Sequence, residues 1–270
     1  GKDKIPNPLH FKRKTFTHII NVKNSKKGGT KMEKRFNIVS LTDWHVPYED
    51  KCVLDLAFKF CEEIKPDIII VHELHDFYTL SRFHKDPTRK EHLQVEIDLV
   101  NKYLKDLRRK CPKSRIILLQ SNHLERLRKY LWSVAPALAG LRSLRVEALL
   151  ELKKLDIEYK EDFLFRGVLF KHGNIVRQDS SYTAKGEFLK EGCSGVSGHT
   201  HRLGLYYVTK RGGKFVWVES GCLCKTKAEY VEGTANWQNG ISLVSFKQDS
   251  RKFYATVIPI IDKTLLFGRV

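Results

Sequence analysis

A chain of 270 residues, 41% of them apolar and including 15 Phe, 10 Tyr and 4 Trp, has the material for a full core, which excludes a disordered or low-complexity protein. The formal net charge of +18 points to an anionic partner, nucleic acid first. No run is long and apolar enough to span a bilayer, and the basic start has no apolar signal core behind it, so a cytoplasmic protein with no membrane partner is expected.

Half of the net charge sits in residues 1–35, where eleven Lys/Arg stand against two acidic residues, interspersed with Pro6, Pro8, Gly28 and Gly29. This stretch reads as a basic N-terminal arm, 1–35, ahead of one domain, 36–270, with Phe16–Ile20 as a candidate edge strand. Two readings of the arm stand: a solvated segment that aids solubility, or one that tracks phosphates.

Phe36–Leu41 is a β-prone apolar run that ends at Thr42-Asp43-Trp44-His45. Asp43 and His45, at i and i+2 straight after a strand, can point at one ion; the bland alternative is a turn aspartate beside an incidental histidine. Val53, Leu54, Leu56, Ala57, Phe60 and Cys61 give Lys51–Ile64 a helical face, which Pro66 ends. Asp67–Val71 is a second buried strand, so strand, helix and strand form a right-handed parallel unit. His72-Glu73-Leu74-His75-Asp76 follows it as a dense set of ligand-type side chains. Leu93, Ile97, Val100, Leu104 and Leu107 mark a helix over Glu91–Arg109, and Ser114–Leu119 a third strand that ends at Gln120-Ser121-Asn122-His123.

Leu124–Lys154 reads as helices interrupted near Pro136 and Gly140. Arg126, Arg128, Lys129, Arg142 and Arg145 there make either a solvated face or a phosphate-contacting wall beside a site. From Ile157 the pattern turns to short strands, at Phe163–Phe165, Val168–Phe170, Val196, Leu205–Val208, Phe215–Val218, Ile241–Phe246 and Phe253–Ile258, with one helix near Ser181–Lys190. A mostly antiparallel sheet packed on the first half is expected, in the same domain. Within it His172-Gly173 and Gly198-His199-Thr200-His201 add three histidines. In an extended segment His199 and His201 leave the backbone on the same side and can converge on one metal cluster. The six cysteines contain no C-x-x-C pair, so neither a zinc knuckle nor a disulfide framework is expected; Cys222-Leu-Cys224 reads as core or loop thiols, with metal binding as the alternative. Residues 230–239, polar and aromatic, suit either a substrate rim or a plain connection.

The ordered set Asp-x-His, an acidic cluster, Asn-His, His-Gly and Gly-His-x-His resembles the calcineurin-like metallophosphoesterase superfamily over residues 36–246, and more weakly its small phage-type members. The resemblance implies an α/β (α+β) fold, a four-layer αββα sandwich with a two-metal site at the sheet edges. By position, Asp43, His45 and His201 would hold one metal and Asn122, His172 and His199 the other, with Glu73 where the family has its bridging aspartate. His123 falls on the histidine that contacts the phosphate and protonates the leaving group, and Asp76 on the aspartate that orients it. Three positions depart from the family pattern: His72 for glycine, Glu73 for aspartate and Ser121 for glycine.

A ligand set of imidazole, carboxylate and amide favours Mn²⁺, with Fe, Zn or Ni as alternatives, over Mg²⁺. The expected function is a metal-dependent phosphoesterase, a phosphoric ester hydrolase using a dinuclear centre and an activated water. Its favoured substrate is a phosphodiester in nucleic acid. The alternatives are a phosphomonoesterase acting on a phosphoprotein or small molecule, and a nucleic-acid-binding protein whose metal site Glu73 has impaired. Trp44 and Arg126 are candidate substrate contacts, with packing as the other role for Trp44.

Overall fold

The computed structural model describes residues 35–82, 92–227, 233–265 and 267. The sequence-assigned arm, with its candidate strand at residues 16–20, lies outside the described residues apart from Arg35. So do residues 230–232 of the proposed rim. All the elements below belong to one compact unit, Glu33–Leu266.

The first sheet has seven strands. Four lie parallel in chain order: β1 (Arg35–Thr42), β2 (Ile68–His72), β3 (Arg115–Leu119) and β4 (Ile157–Lys160). The second sheet has five strands: β5 (Phe163–Phe165), β6 (Val168–Phe170), β7 (Ser194–Ser197), β8 (Leu203–Lys210) and β9 (Gly213–Ser220), in the order β5-β6-β7-β9-β8. The chain then returns to the first sheet with β10 (Gly240–Lys247), β11 (Phe253–Ile261) and β12 (Thr264–Leu265), and β10 lies antiparallel to β1.

This corrects the sequence expectation twice. The last strands do not join the second sheet, and that sheet is mixed, with β6-β7 and β7-β9 parallel. The reason is visible in β10, where every residue from Gly240 to Phe246 is buried. Between β1 and β11 it is covered on both faces, so its sequence shows no alternation to reveal its neighbours.

The two sheets share one core. Ile38, Ile70, Ile117, Leu119, Val244 and Phe246 of the first meet Phe170, Val196, Val216 and Val218 of the second. Their alternates Val39, Leu41, Ile69, Val71, Ile116 and Leu118, fully buried as well, point to the opposite face of the sheet. That side carries α1 (Lys51–Ile64) and α2 (Leu93–Lys110). Asp50 starts α1 by accepting from the backbone N–H of Cys52 and Val53 at 3.0 and 3.2 Å, and Lys65 ends it in the left-handed conformation before Pro66. On the far side of the second sheet, α5 (Tyr182–Glu191) lays Ala184 and Phe188 against Trp217, the alternate of Val216 and Val218 on β9. The result is helices, sheet, sheet, helix: a four-layer αββα sandwich. Between β3 and β4 the helical pattern is shorter than expected. It gives α3 (Leu124–Val134), then two 3₁₀ turns and a single turn, α4 (Val146–Leu149).

Candidate metal centre

Five strand ends meet at one edge of the sandwich. β1 leads into Asp43 and His45, β2 into Glu73 and Asp76, β3 into Asn122 and His123, β6 into His172, and β7 into His199 and His201. The segments after β1 and β2 stay zipped together past the strands, with Asp43 N–H donating to His72 O at 3.1 Å, Trp44 N–H to Glu73 O at 2.9 Å and Asp76 N–H to Val46 O at 2.9 Å. Within the second sheet Gly198 N–H donates to His172 O at 3.1 Å, and His199 N–H ties that sheet to the first by donating to Asp43 Oδ1 at 3.1 Å.

Asp43, His45, Glu73, His199 and His201 all have φ between 49° and 71°, the left-handed region that disfavours side chains. Each such residue costs about 1–3 kcal/mol, which the surrounding sheets offset. The Gly-His-x-His segment is therefore not extended, as the sequence reading has it. Its two histidines still reach one cluster, but at different halves of it. Gly198 has its own cause: a Cβ there would collide with Asp43 Oδ2 and stand 2.6 Å from His72 Cε1.

In one half, His45 Nε2 and His201 Nε2 face each other at 2.9 Å, and Asp43 Oδ1 lies 3.4 Å from His201 and 3.9 Å from His45. In the other, three acceptor atoms crowd His172 Nε2: Asn122 Oδ1 at 2.6 Å, Glu73 Oε2 at 2.9 Å and His199 Nδ1 at 3.2 Å. One ring proton satisfies one of these atoms, and the remaining lone pairs converge on the same small volume. Glu73 lies between the halves. It is 1% exposed, and the groups facing its oxygens are ring nitrogens, His172 Nε2 at 2.9 Å and His123 Nδ1 at 3.2 Å. A buried carboxylate in that state calls for a cation. The donor chemistry thus fits divalent metal ions, and Asp43, His45 and His201 form one group whose ligand atoms lie within 4.8 Å of one another.

The electrostatics agree. Burial alone would raise the Asp43 carboxyl, but its contacts with His201 and His45 hold it well below the usual range. Burial likewise opposes ionisation of Glu73, and the neighbouring His172 and His123 outweigh it. Burial disfavours protonation of His45, yet its contacts with Asp43 and Asp76 push it up to about 10. That proton marks where a cation is most stabilised.

His123 and Asp76 form the side wall. Arg126 donates from Nη2 to His123 Nε2 at 2.7 Å and from Nη1 to the Asp76 carbonyl at 2.6 Å. The neutral ring then carries its proton on Nδ1, which lies 3.2 Å from Glu73 Oε1 and 3.7 Å from Asp76 Oδ2. Asp76 Oδ2 is nearer to His45 Nδ1, at 3.2 Å, so in this arrangement it fixes His45 more than His123. Trp44 is not at the site. Its indole is fully buried, stacks edge-on against Phe58 of α1 and Tyr103 of α2, and donates to Leu41 O at 3.2 Å. Its neighbours Asp43 and His45, at positive φ, face the cluster while it faces the helices.

Four contributors escape the motif reading. His72 Nδ1 meets His172 Nδ1 at 3.0 Å. Glu187, fully buried on α5, accepts from the N–H groups of Asn174 and Ile175 and pairs with Lys171, fixing the loop that carries His172. Glu219 accepts from Thr200 Oγ1 at 2.8 Å between the two terminal histidines. Trp237, in the expected rim, sets its ring 4.2 Å from that of His201. His72 left a signal as a departure from the family glycine, and Trp237 as part of the stretch read as a rim; Glu187 and Glu219 left none. The thiols of Cys222 and Cys224 are buried and lie within 4.8 Å of a His201 ring nitrogen, closer to the centre than core or loop thiols imply.

No family model matches the chain. It is 28% identical over 247 residues to the Gene 54 protein of Mycobacterium phage L5, covering 85% of this chain and 95% of the relative. The Gene 54 protein of Mycobacterium phage D29 is 29% identical over 247 residues, with the same coverage. Among solved structures, the chain is similar to Chaetomium thermophilum Vps29 (TM-score 0.45, 11% identity, 86% of this chain and 95% of that one). A phosphatase from Mycoplasma pneumoniae has a TM-score of 0.38 and 11% identity, over 84% of this chain and 95% of that one.

Proposed function

We propose that this protein is a metal-dependent phosphoesterase with a dinuclear centre, acting on phosphodiesters in nucleic acid. The observation that carries the reading is the buried Glu73 carboxylate. It lies between two groups of converging lone pairs and faces ring nitrogens of His172 and His123 with both of its oxygens. Asp43, His45 and His201 would hold one divalent ion and Asn122, His172 and His199 the other, with Glu73 serving both. The mixed nitrogen and oxygen set suits Mn²⁺ first, then Fe, Zn or Ni. When bound, such ions polarise a phosphoryl oxygen and acidify a water molecule.

The chain's own residues supply the remainder. Arg126 places a permanent positive charge beside His123, where negative charge builds on a departing oxygen. His123 holds its proton on Nδ1 against Glu73 and keeps Nε2 toward Arg126, so the two act as one polar wall. Asp76 accepts from both His45 and Arg126, fixing the wall to the ligand set. Nucleic acid is favoured as substrate by the net charge of +18.

The test is hydrolysis of a labelled single-stranded oligonucleotide with added Mn²⁺ against an EDTA control. Cleavage with Mn²⁺ and none with EDTA is expected. An intact oligonucleotide in the presence of protein-bound Mn²⁺ overturns the diesterase reading.

A further inference from the structure

A groove of about 560 Å³ opens beside the candidate centre, with Asn122 and Arg126 at one end and Lys129, Tyr130, Ser133 and Val134 beyond. Arg126, Lys129, Tyr130, Ser133 and Val134 stand at i, i+3, i+4, i+7 and i+8 along α3, so they share one face of the helix. The opposite face, Leu124, Leu127 and Leu131, is buried in the protein. The second wall is the turn ending at Leu80, Ser81 and Arg82. Arg82, Arg126 and Lys129 line the groove, and among the described residues no carboxylate does. Tyr130, next to Lys129 on α3, adds an aromatic ring that is 40% exposed. The volume falls in the range of small-ligand sites, ~300–1,000 Å³.

Resting on the phosphodiesterase reading above, we infer that this groove binds the leaving strand of a single-stranded nucleic acid. The first nucleotide beyond the scissile phosphate would meet Arg126, its base would stack on Tyr130, and the next phosphate would pair with Lys129. The direction follows from placement: Arg126 lines the groove and also donates to His123, so the groove opens from the wall beside the departing oxygen. Cations beside an aromatic ring suit a single strand, because phosphates recur and every base has a stacking face. A phosphomonoester would leave the groove unused.

Lys129→Glu and Tyr130→Ala lie on the exposed face of α3 and outside the reacting groups, so both variants keep the fold and the centre. Lys102→Glu, exposed on α2, is the control for charge alone. Two measurements are needed. Anisotropy of a labelled single-stranded oligonucleotide in EDTA reads binding without chemistry, and Mn²⁺-dependent hydrolysis of bis-p-nitrophenyl phosphate reads the centre without the groove. Binding is expected to weaken about tenfold in each groove variant, the equivalent of ~1.4 kcal/mol. Lys102→Glu should bind within about twofold of the parent, and all three should hydrolyse the small diester at the parental rate.

Parental affinity in both groove variants, or no oligonucleotide binding by the parent protein, overturns the groove. So does a loss of phosphopeptide binding in these variants with oligonucleotide binding intact. Failure of the parent to hydrolyse the small diester with Mn²⁺ bound instead removes the phosphoesterase reading, while the anisotropy series still decides the groove.

Discussion

Glu73 and His72 show how two single replacements are accommodated together. The longer Glu73 carries its oxygens to 2.9 Å from His172 and 3.2 Å from His123, spanning a distance that an aspartate on the same backbone would fall short of by one methylene. His72 then meets the candidate ligand that Glu73 reaches, His172. For His172 to offer its Nε2 lone pair to a metal, its proton must sit on Nδ1, and the acceptor for that proton is His72 Nδ1 at 3.0 Å. Burial pushes His72 down to about 3, so the ring stays neutral and keeps its acceptor. The space it needs is made by Gly198, whose missing side chain leaves room for His72 Cε1. His72→Ala should therefore lower Mn²⁺ affinity by about 10–100-fold, the usual effect of removing the partner of a ligating histidine. Calorimetric titration of the apoprotein checks it. Titration curves with unchanged affinity would mean that His172 needs no partner to hold its orientation. The candidate ligand residues are legible in the sequence because each follows an apolar run and keeps its spacing. The contact between His72 and His172 is not, since it joins residues 100 positions apart on different sheets.

Among the elements, α2 carries an unusual burden in Glu96. Its helical face is legible from Ile97, Val100, Leu104 and Leu107, but periodicity alone leaves Glu96 no role. In the structure Glu96 is 4% exposed and accepts from Phe77 N–H at 2.6 Å, pinning the segment that follows Asp76. Burial pushes its carboxyl up to about 8, with the negative Asp76 adding to this while the Phe77 N–H and Arg126 oppose it. The unfolded carboxyl ionises near its ordinary 4.5. Between these values the folded state holds a proton that the unfolded state has released, so stability falls as pH rises, by at most ~1.4 kcal/mol per pH unit. The contribution is fully present below about pH 4.5 and lost as pH passes through about 8. Glu96→Gln should remove this slope, giving a smaller drop in urea midpoint between about pH 5 and about pH 8.5 than the parent shows. Parallel midpoint curves would show that Glu96 is already ionised at the lower pH. The strands tell the same story about legibility. β1 to β3 announce themselves as apolar runs, whereas the sheet membership of β10 depends on a pairing with β1 from the far end of the chain, as in Arg35 with Lys247 and Ser40 with Ser242. Hydrophobic pattern fixes which face of a strand is buried and is silent about its neighbour.

For the molecule as a whole, charge is the remaining lever. Residues 1–34 contain ten Lys/Arg and two acidic residues, so they carry +8 of the +18, and β1 begins at Arg35, the last residue the sequence reading assigns to the arm. The groove beside α3 gathers a second set of cations at Arg82, Arg126 and Lys129. On the proposals above, these two sets would act on a nucleic acid differently. A groove leading from the reacting centre would fix register, so its loss should alter turnover of oligonucleotides and leave small diesters alone. A run of lysines along the chain acts by releasing counterions, which carries no register and declines with salt. Removing residues 1–34 should therefore weaken oligonucleotide binding and flatten the plot of log affinity against log salt, by ~0.7 for each single-strand phosphate that those residues neutralise. Hydrolysis of bis-p-nitrophenyl phosphate by the truncated protein should match the parent. Anisotropy titrations over about 50 to 300 mM NaCl provide the slope. An unchanged slope would assign residues 1–34 to solvation and leave the groove cations as the main contact with phosphate. A flattened slope with the small-diester rate intact would divide the work: general attraction in the segment before β1, and placement of the scissile phosphate along α3.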